Sequence, residues 1–419
     1  MQPDKEANVK KESSRSQLMK RSSRSLVMCC VSRASRISRT QIVKETGLSL
    51  AHVCGVVDEL IAKGELIETG SVSAGRGRPA ILLEVNRNSI SVGGVWLAED
   101  SIEVGIAGAT GEILARESLS YSGNSSDDID AIVEAVKACA EQSGKSRETL
   151  RGIGVVVAGL VDPGLGLISR ARPHSGFAGV PIAKLLQERV GIPVYADTDI
   201  RAAAVADQWR NGKSERALYV SFCGGVGAAF VIAGEVFGNA HGAAPLLGYA
   251  PIGPSGFLHN HTSIFAFVES LWPDVDARKL DRRQLQDMVG RGVDLVAQGD
   301  YDAIAAISQI AEYMGLGIAN GINMLDPQKV YVVGTLIDCV PDMMVSIIRR
   351  AAIPTLYTPF FEVDIQPLMR LQEFEFKGAF GLVLFNGFRS LNRDISAKLM
   401  TPWSSEDGVV AVNRIGSGV

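Results

Sequence analysis

Between residues 38 and 86 the apolar positions first recur at helical spacing and then alternate. In "SLAHVCGVVDELIAKG", Val53, Val56, Val57, Leu60 and Ile61 fall three and four residues apart and line one helix face. Ser38 with Gln41 matches a capping box, so a shorter helix is expected to start there. Gly47 suits the left-handed conformation that ends a helix, and Ser49 then caps the next one. Two helices joined by a short glycine-containing turn form a helix-turn-helix. The stretches "ELIET" and "AILLEV" read as two strands around "GSVSAGRGRP".

Past Asn86 the pattern shifts to apolar strands alternating with longer helices. "SVGGVWLAEDSIEVGIAGATGEILARESL" predicts antiparallel strands turning at Glu99-Asp100 and Thr110-Gly111. "IDAIVEAVKACAEQ" predicts an amphipathic helix, and "LRGIGVVVAGLVDP" a buried strand leaving into a turn. "IPVYADTDIRAAAVADQW" predicts a strand, a polar turn and an alanine-rich helix. "ISQIAEYMGLGIANGINMLDPQKVYVVG" predicts a long helix ending at Asp326-Pro327 and a further buried strand. This alternation implies an α/β architecture, and 419 residues suffice for a head and two lobes.

Charge changes the picture at the N-terminus. The first 80 residues hold fourteen Lys and Arg against eight Asp and Glu, whereas the rest hold 28 against 38. A basic head on an acidic body fits a polyanionic partner, although a basic tail alone also fits a solvated, disordered arm. With 46% hydrophobic residues the body can bury large cores, but no apolar run is long enough for a membrane span. The six cysteines show no CxxC or metal spacing, and the polar start "MQPDKEANVKKESSRSQLMKRSSRS" contains no signal-peptide apolar region. A reducing, cytoplasmic setting is therefore expected.

Candidate chemistry in the head follows from how helices read DNA. The second helix would present Ala51, His52 and Gly55 on the face opposite its apolar stripe. The N-terminal residues of such a helix meet base edges in the major groove. Ala51 could contact a thymine methyl, and His52 a base edge or phosphate, if it is not simply a solvated side chain. Gly55 lowers helix propensity by about 1 kcal/mol, which points to a close approach. Arg76 and Arg78 form a narrow basic finger suited to the minor groove, with a flexible linker as the plainer reading. Ser38, Arg39 and Ser49 complete the expected DNA-facing set, whose partner is double-stranded operator DNA.

Several segments, in order, resemble the ROK family of repressors, open reading frames and sugar kinases. The head "ISRTQIVKETGLSLAHVCGVVDELIAKGELIETG…GRGRPAILLEVN" is similar to the family's repressor head. "GIGVVVAGLVDP", "PVYADTDIRAAAVAD", "GGVGAAFVIAGEVFGNAHGAA" and "NMLDPQKVYVVG" are similar to its sugar-kinase body. The resemblance spans roughly residues 20 to 390. It implies a winged helix-turn-helix followed by a two-lobed actin-like ATPase fold. The expected division is a basic tail over 1–20, a winged helix over 21–86, and lobe 1 over 87–205 plus about 375–400. Lobe 2 would cover 206–374, and a C-terminal tail 401–419.

Against that pattern the enzymatic residues have changed. Kinases of the family carry an Asp-x-Gly-Gly-Thr turn where this chain has Trp96-Leu97-Ala98-Glu99-Asp100. Two carboxylates there repel a polyphosphate, and phosphoryl transfer depends on charge neutralisation and positioning. Gly334-Thr335-Leu336 lacks the second glycine common in the family. The family's Asn-Asp pair is Thr198-Asp199, so the carboxylate survives, with helix capping as its alternative role. In "GAAPLLGY", Pro245, Leu246 and Tyr249 replace the family's Gly, sugar-binding Glu and His. Gly256, Leu258 and Ser263 stand at the cysteines of its zinc motif, and Phe265 at another sugar-binding Glu. His259 and His261 alone give a weak metal signal.

No catalytic role, cofactor or metal is therefore expected. The expected ligand set is Gly159, His174, Thr198, Asp199, Leu246 and Tyr249. The resemblance implies a DNA-binding regulator, a repressor first, whose body senses a sugar or related small molecule. Two heads on a palindrome require a homodimer or larger homo-oligomer. A sugar kinase with an attached head and an effector-independent regulator are the alternatives.

Overall fold

Short-range capping sets the head, and its apolar stripe closes it. A helix over 26–34 (α1) precedes β1 (Ile37–Ser38), α2 (Arg39–Thr46) and α3 (Leu50–Ala62). Ser38 and Gln41 form the reciprocal capping box at the start of α2, and Gly47 ends it at φ 70°. The Ser49 hydroxyl accepts from the His52 amide to start α3. Val53, Val56, Val57 and Leu60 are buried, and Ile61 packs beside them. Strands β2 (Leu66–Val72) and β3 (Ala80–Val85) pair antiparallel, with β1 on the outer edge of β3. That arrangement is a winged helix-turn-helix.

The computed structural model describes residues 23–389 except 25, 73–78, 99–100, 146–147, 172–173, 212–215, 239–244, 253–255, 358–362 and 369–373. Arg76 and Arg78 of the expected wing tip, Glu99 and Asp100 of the expected turn, and the expected tails 1–20 and 401–419 lie outside the described residues.

The body contains the same sheet twice. Lobe 1 is built from β4 (Ser91–Leu97), β5 (Ser101–Gly108), β6 (Ile113–Ser120), α4 (Ser125–Gln142) and β7 (Leu150–Val157). A hairpin of β8 (Gly159–Asp162) and β9 (Leu167–Ala171), then α5 (Ile182–Val190) and β10 (Val194–Thr198), complete it. Helix α6 (Asp199–Asn211) leads to lobe 2, with β11 (Arg216–Phe222), β12 (Val226–Ile232) and β13 (Glu235–Val236). There follow α7 (Leu258–Thr262), α8 (Ile264–Leu271), α9 (Arg282–Ala297), α10 (Tyr301–Leu325) and β14 (Lys329–Gly334). The last elements are α11 (Thr335–Cys339), α12 (Pro341–Ala352), β15 (Asp364–Pro367) and α13 (Phe374–Arg389).

The sheet orders are β10-β7-β4-β5-β6 and β13-β12-β11-β14-β15. In each, the first strand is central, with two antiparallel strands on one side and two parallel strands on the other. The central and parallel strands are near-continuous apolar runs because helices cover both faces.

Two helices join the parts. Ile200 and Ala204 of α6 pack into lobe 2 with Tyr219, Ala229 and Val333, while Ala202 and Val205 pack with Val156, Ala379 and Leu382. Helix α13 returns across the lobe 1 sheet so closely that a Cβ on Gly154 would stand 1.8 Å from the Ala379 carbonyl oxygen. Phe376, Phe380, Val383 and Leu384 of α13 belong to one continuous core with Val27, Leu60, Leu66 and Val85 of the head. Head and lobe 1 thus share apolar interior rather than meeting through a bare linker.

Candidate nucleic-acid interface and ligand cleft

On α3, the side opposite the buried stripe is open. Ala51, His52 and Gly55 are exposed, Leu50 with them, and nothing lies within 4 Å of a Cβ built on Gly55. The remaining head residues serve the frame. Ser38 is buried and its hydroxyl is engaged in the capping box. Arg39 bridges Asp58 on α3 and Glu68 on β2, both at 3.0 Å, and so fixes the helix against the wing strand. Ser49 works through its cap on α3.

At the base of the head sits a buried acid. Glu65, between α3 and β2, is 2% exposed and is paired with Arg24 and with Arg151 at the start of β7. Asn86 reinforces the joint by donating its side-chain amide to the Gly64 carbonyl at 2.7 Å.

The other expected ligand residues begin where β10 meets α6. Asp197 is buried and paired at 2.7 Å with Arg201, which donates onward to the Phe237 carbonyl of lobe 2 at 2.8 Å. Thr198 is buried, its hydroxyl has no hydrogen-bond partner, and its amide donates to Asp197. Asp199 follows, and its carboxylate accepts from the Ile200 amide. Burial, with the Asp197 charge adding to it against the Ile200 hydrogen bond, lifts the Asp199 pKa to about 6. Asp199 is thus a partly ionised hydrogen-bonding group at the N-terminus of the helix that touches both lobes.

Lobe 2 approaches the acid through Gly227. A Cβ on Gly227 would lie 3.2 Å from Ile200 and 4.0 Å from the Asp199 carboxylate, so this glycine leaves space beside the acid. Gly224, Gly225 and Gly227 all lack positive φ, so the β11–β12 turn itself does not demand glycine. Gly248 packs on Val226, and Leu246 and Tyr249 flank it with 48% of their surfaces exposed. The structure therefore sets Gly227 against Asp199, while Gly248, with Leu246 and Tyr249 beside it, meets Val226, whose side chain leaves β12 on the other face.

Two further expected ligand residues, His174 and Gly159, have structural partners of their own. His174 is 1% exposed, lies edge-on to Tyr121 at 4.3 Å, and meets the Ala98 carbonyl through Nε2. A carbonyl only accepts, so Nε2 carries the proton, and the buried Nδ1 has no hydrogen-bond partner. Gly159 is exposed on the β8–β9 hairpin, where a Cβ would meet the Arg170 carbonyl at 1.9 Å. Its glycine has a strand-pairing reason. Arg201 and Tyr121 belong to no sequence motif, because their partners are set only by the fold.

The zinc motif that the resemblance implies does not fit these residues. Leu258 is buried with no ligating atom, Gly256 offers no side chain, and the Ser263 hydroxyl caps α8 by accepting from Ala266. Among the described residues no three His, Cys, Asp or Glu side chains are grouped to hold a metal ion, and no helix is long and apolar enough to cross a membrane.

A repressor-type head on a duplicated kinase-like body defines a class, and comparison with known proteins gives the family. The ROK family profile matches residues 92–385, and the chain belongs to that family. The xylose repressor of Caldicellulosiruptor bescii is 26% identical over 333 residues, covering 75% of this chain and 83% of that protein. The Escherichia coli DNA-binding transcriptional dual regulator NagC is 24% identical over 363 residues, covering 83% and 88%. Among solved structures, a ROK family transcriptional regulator homologous to the E. coli MLC protein superposes with a TM-score of 0.74 at 21% identity, covering 89% of this chain and 98% of that one. A ROK glucokinase from Streptomyces griseus, in complex with glucose and AMPPNP, gives 0.55 at 21% identity over 73% of this chain and 99% of its own. Both the regulator and the kinase share the body's fold, so the fold alone does not separate sensing from catalysis.

Proposed function

We propose that this chain is a transcriptional repressor that holds operator DNA through α3 and its wing, and releases it when a sugar-like effector enters the cleft beside Asp199. The open Ala51-His52-Gly55 face carries the reading, because it stands at the N-terminal part of a helix whose other side is fully committed to the head's core. Relatives named as xylose and N-acetylglucosamine repressors support a sugar-derived effector.

The signal route follows from shared packing. Asp199 starts α6, α6 packs on α13, and α13 lies in the core that reaches the head. An effector that favours one lobe arrangement shifts the position of two heads in a homo-oligomer by its differential affinity for the two arrangements. Selecting the bound duplex from a random pool, then adding sugars to the complex, tests this. Expected is a palindromic site bound with a steep salt dependence and released by a sugar-class metabolite. Binding to no preferred duplex would sink the reading. Alanine at Arg76 or Arg78 is expected to weaken the complex.

A kinase with an attached head is the second reading, and Asp199 favours it. Trp96 stands in β4, paired across to Glu103, at the place where kinases of the family begin their phosphate turn. ADP release over a panel of sugars, dependent on Asp199, would establish that reading instead.

A further inference from the structure

Helix α3 opens on an apolar side chain that the head does not bury. Leu50 is its first residue, directly after the Ser49 cap, and 51% of its surface is exposed. The apolar staple that fixes a helix entry pairs the residue before the cap with the fourth residue after it. Here those residues are Leu48 and Val53, and both pack into the head's core. Leu50 has no part in that contact. It faces solvent beside exposed Ala51, and Gly55 is open one turn further on.

The first residues of a reading helix are the ones that meet base edges in the major groove. Hydrogen-bonded readout there places arginine or lysine on guanine, and asparagine or glutamine on adenine. The α3 sequence LAHVCGVVDELIA contains none of the four. Its two acids, which suit cytosine, come later in the helix, where Asp58 is tied to Arg39 and Glu59 to Lys63. What α3 presents at its start is aliphatic surface. The apolar group on the major-groove edges of DNA is the 5-methyl of thymine. We propose that Leu50 is a specificity-determining residue, seated on a thymine 5-methyl in each half-site, with Ala51 and Gly55 small enough to let the helix approach. The proposal rests on the repressor reading above and adds to it the base that the first turn of α3 selects.

A duplex selected by the full chain from a random pool tests it, remade with deoxyuridine for thymine one position at a time and titrated at fixed salt. Deoxyuridine keeps every hydrogen-bonding group of thymine and lacks only the methyl. One half-site position is expected where that loss weakens binding about fourfold, the worth of one buried methyl-sized group, and about fifteenfold when both half-sites are changed. Leu50→Ala should bind the thymine duplex more weakly and shrink the deoxyuridine penalty at that position to less than about twofold. Leu50 is half exposed and alanine is the better helix former, so the variant should melt like the parent chain. Equal binding of every thymine and deoxyuridine duplex would overturn the proposal and leave the repressor reading standing, as would a penalty that Leu50→Ala leaves intact. A chain that selects no duplex would overturn the repressor reading itself.

Discussion

Glu65 of the head and Arg151 of lobe 1 form a 2.9 Å ion pair across 86 residues of sequence, with the acid almost fully buried. Arg24 approaches the same carboxylate oxygen from α1's side, while the other oxygen has no partner. Removing one partner of such a cluster strands the other charges. Glu65→Gln should lower unfolding free energy by about 1–3 kcal/mol, reduced from the fully buried case because both arginines are partly exposed. Urea denaturation measures it. A change within about 0.5 kcal/mol would mean that the apolar interior alone fixes the head.

Asp199 should give the protein a pH signature. Its folded pKa of about 6 lies above its ordinary value of 3.8, so the folded state holds the proton more tightly than the unfolded chain. The stabilisation is complete below about 4 and is lost as pH rises through about 6. Asp199→Asn should therefore melt higher than the parent above pH 6 and match it near pH 4. The gain is about 1–2 kcal/mol, discounted for partial exposure. A gap that widens toward acid would contradict this sign. A hydroxyl donated by an effector favours the carboxylate, so effector affinity should fall as pH drops below 6.

Gly55 separates stability from recognition. A methyl group there meets no atom within 4 Å, so Gly55→Ala should stabilise the fold by up to about 1 kcal/mol through helix propensity. If α3 approaches the groove closely at this position, operator affinity should drop about tenfold in the same variant. Paired melting and DNA-binding titrations decide it. Higher stability with unchanged affinity removes Gly55 from the interface.

Arg201 ties the β10–α6 junction to lobe 2. Replacing it with Met strands the buried Asp197 charge and cuts the bridge to Phe237, at about 3 kcal/mol or more. Adding Asp197→Asn to Arg201→Met should recover much of that loss, because the stranded charge is gone. Equal instability of single and double variants would show that the bridge, not the charge, matters.

The parts of this fold that were legible in the sequence are those governed by nearest neighbours. Ser38 with Gln41, Gly47 and Ser49 each act within four residues, so capping chemistry located both head helices. The apolar runs of β7 and β14 and the long α10 were legible for the same reason. Partners brought together from a distance were not. Nothing adjacent to Arg39 announces its ties to Asp58 and Glu68, and His174 reads as a loop residue although Tyr121 and Ala98 enclose it. Nothing beside Gly227 announces that it is fitted to the start of α6.

The return of α13 onto lobe 1 also ties function to the order of synthesis. Phe376, Phe380, Val383 and Leu384 are made last among the described core residues, yet they complete an interior begun by Val27 and Met28. A chain still emerging from the ribosome therefore carries its reading helix on an unfinished base, and so does one cut before residue 374. Removing α13 is therefore expected to weaken DNA binding without touching any residue of the head.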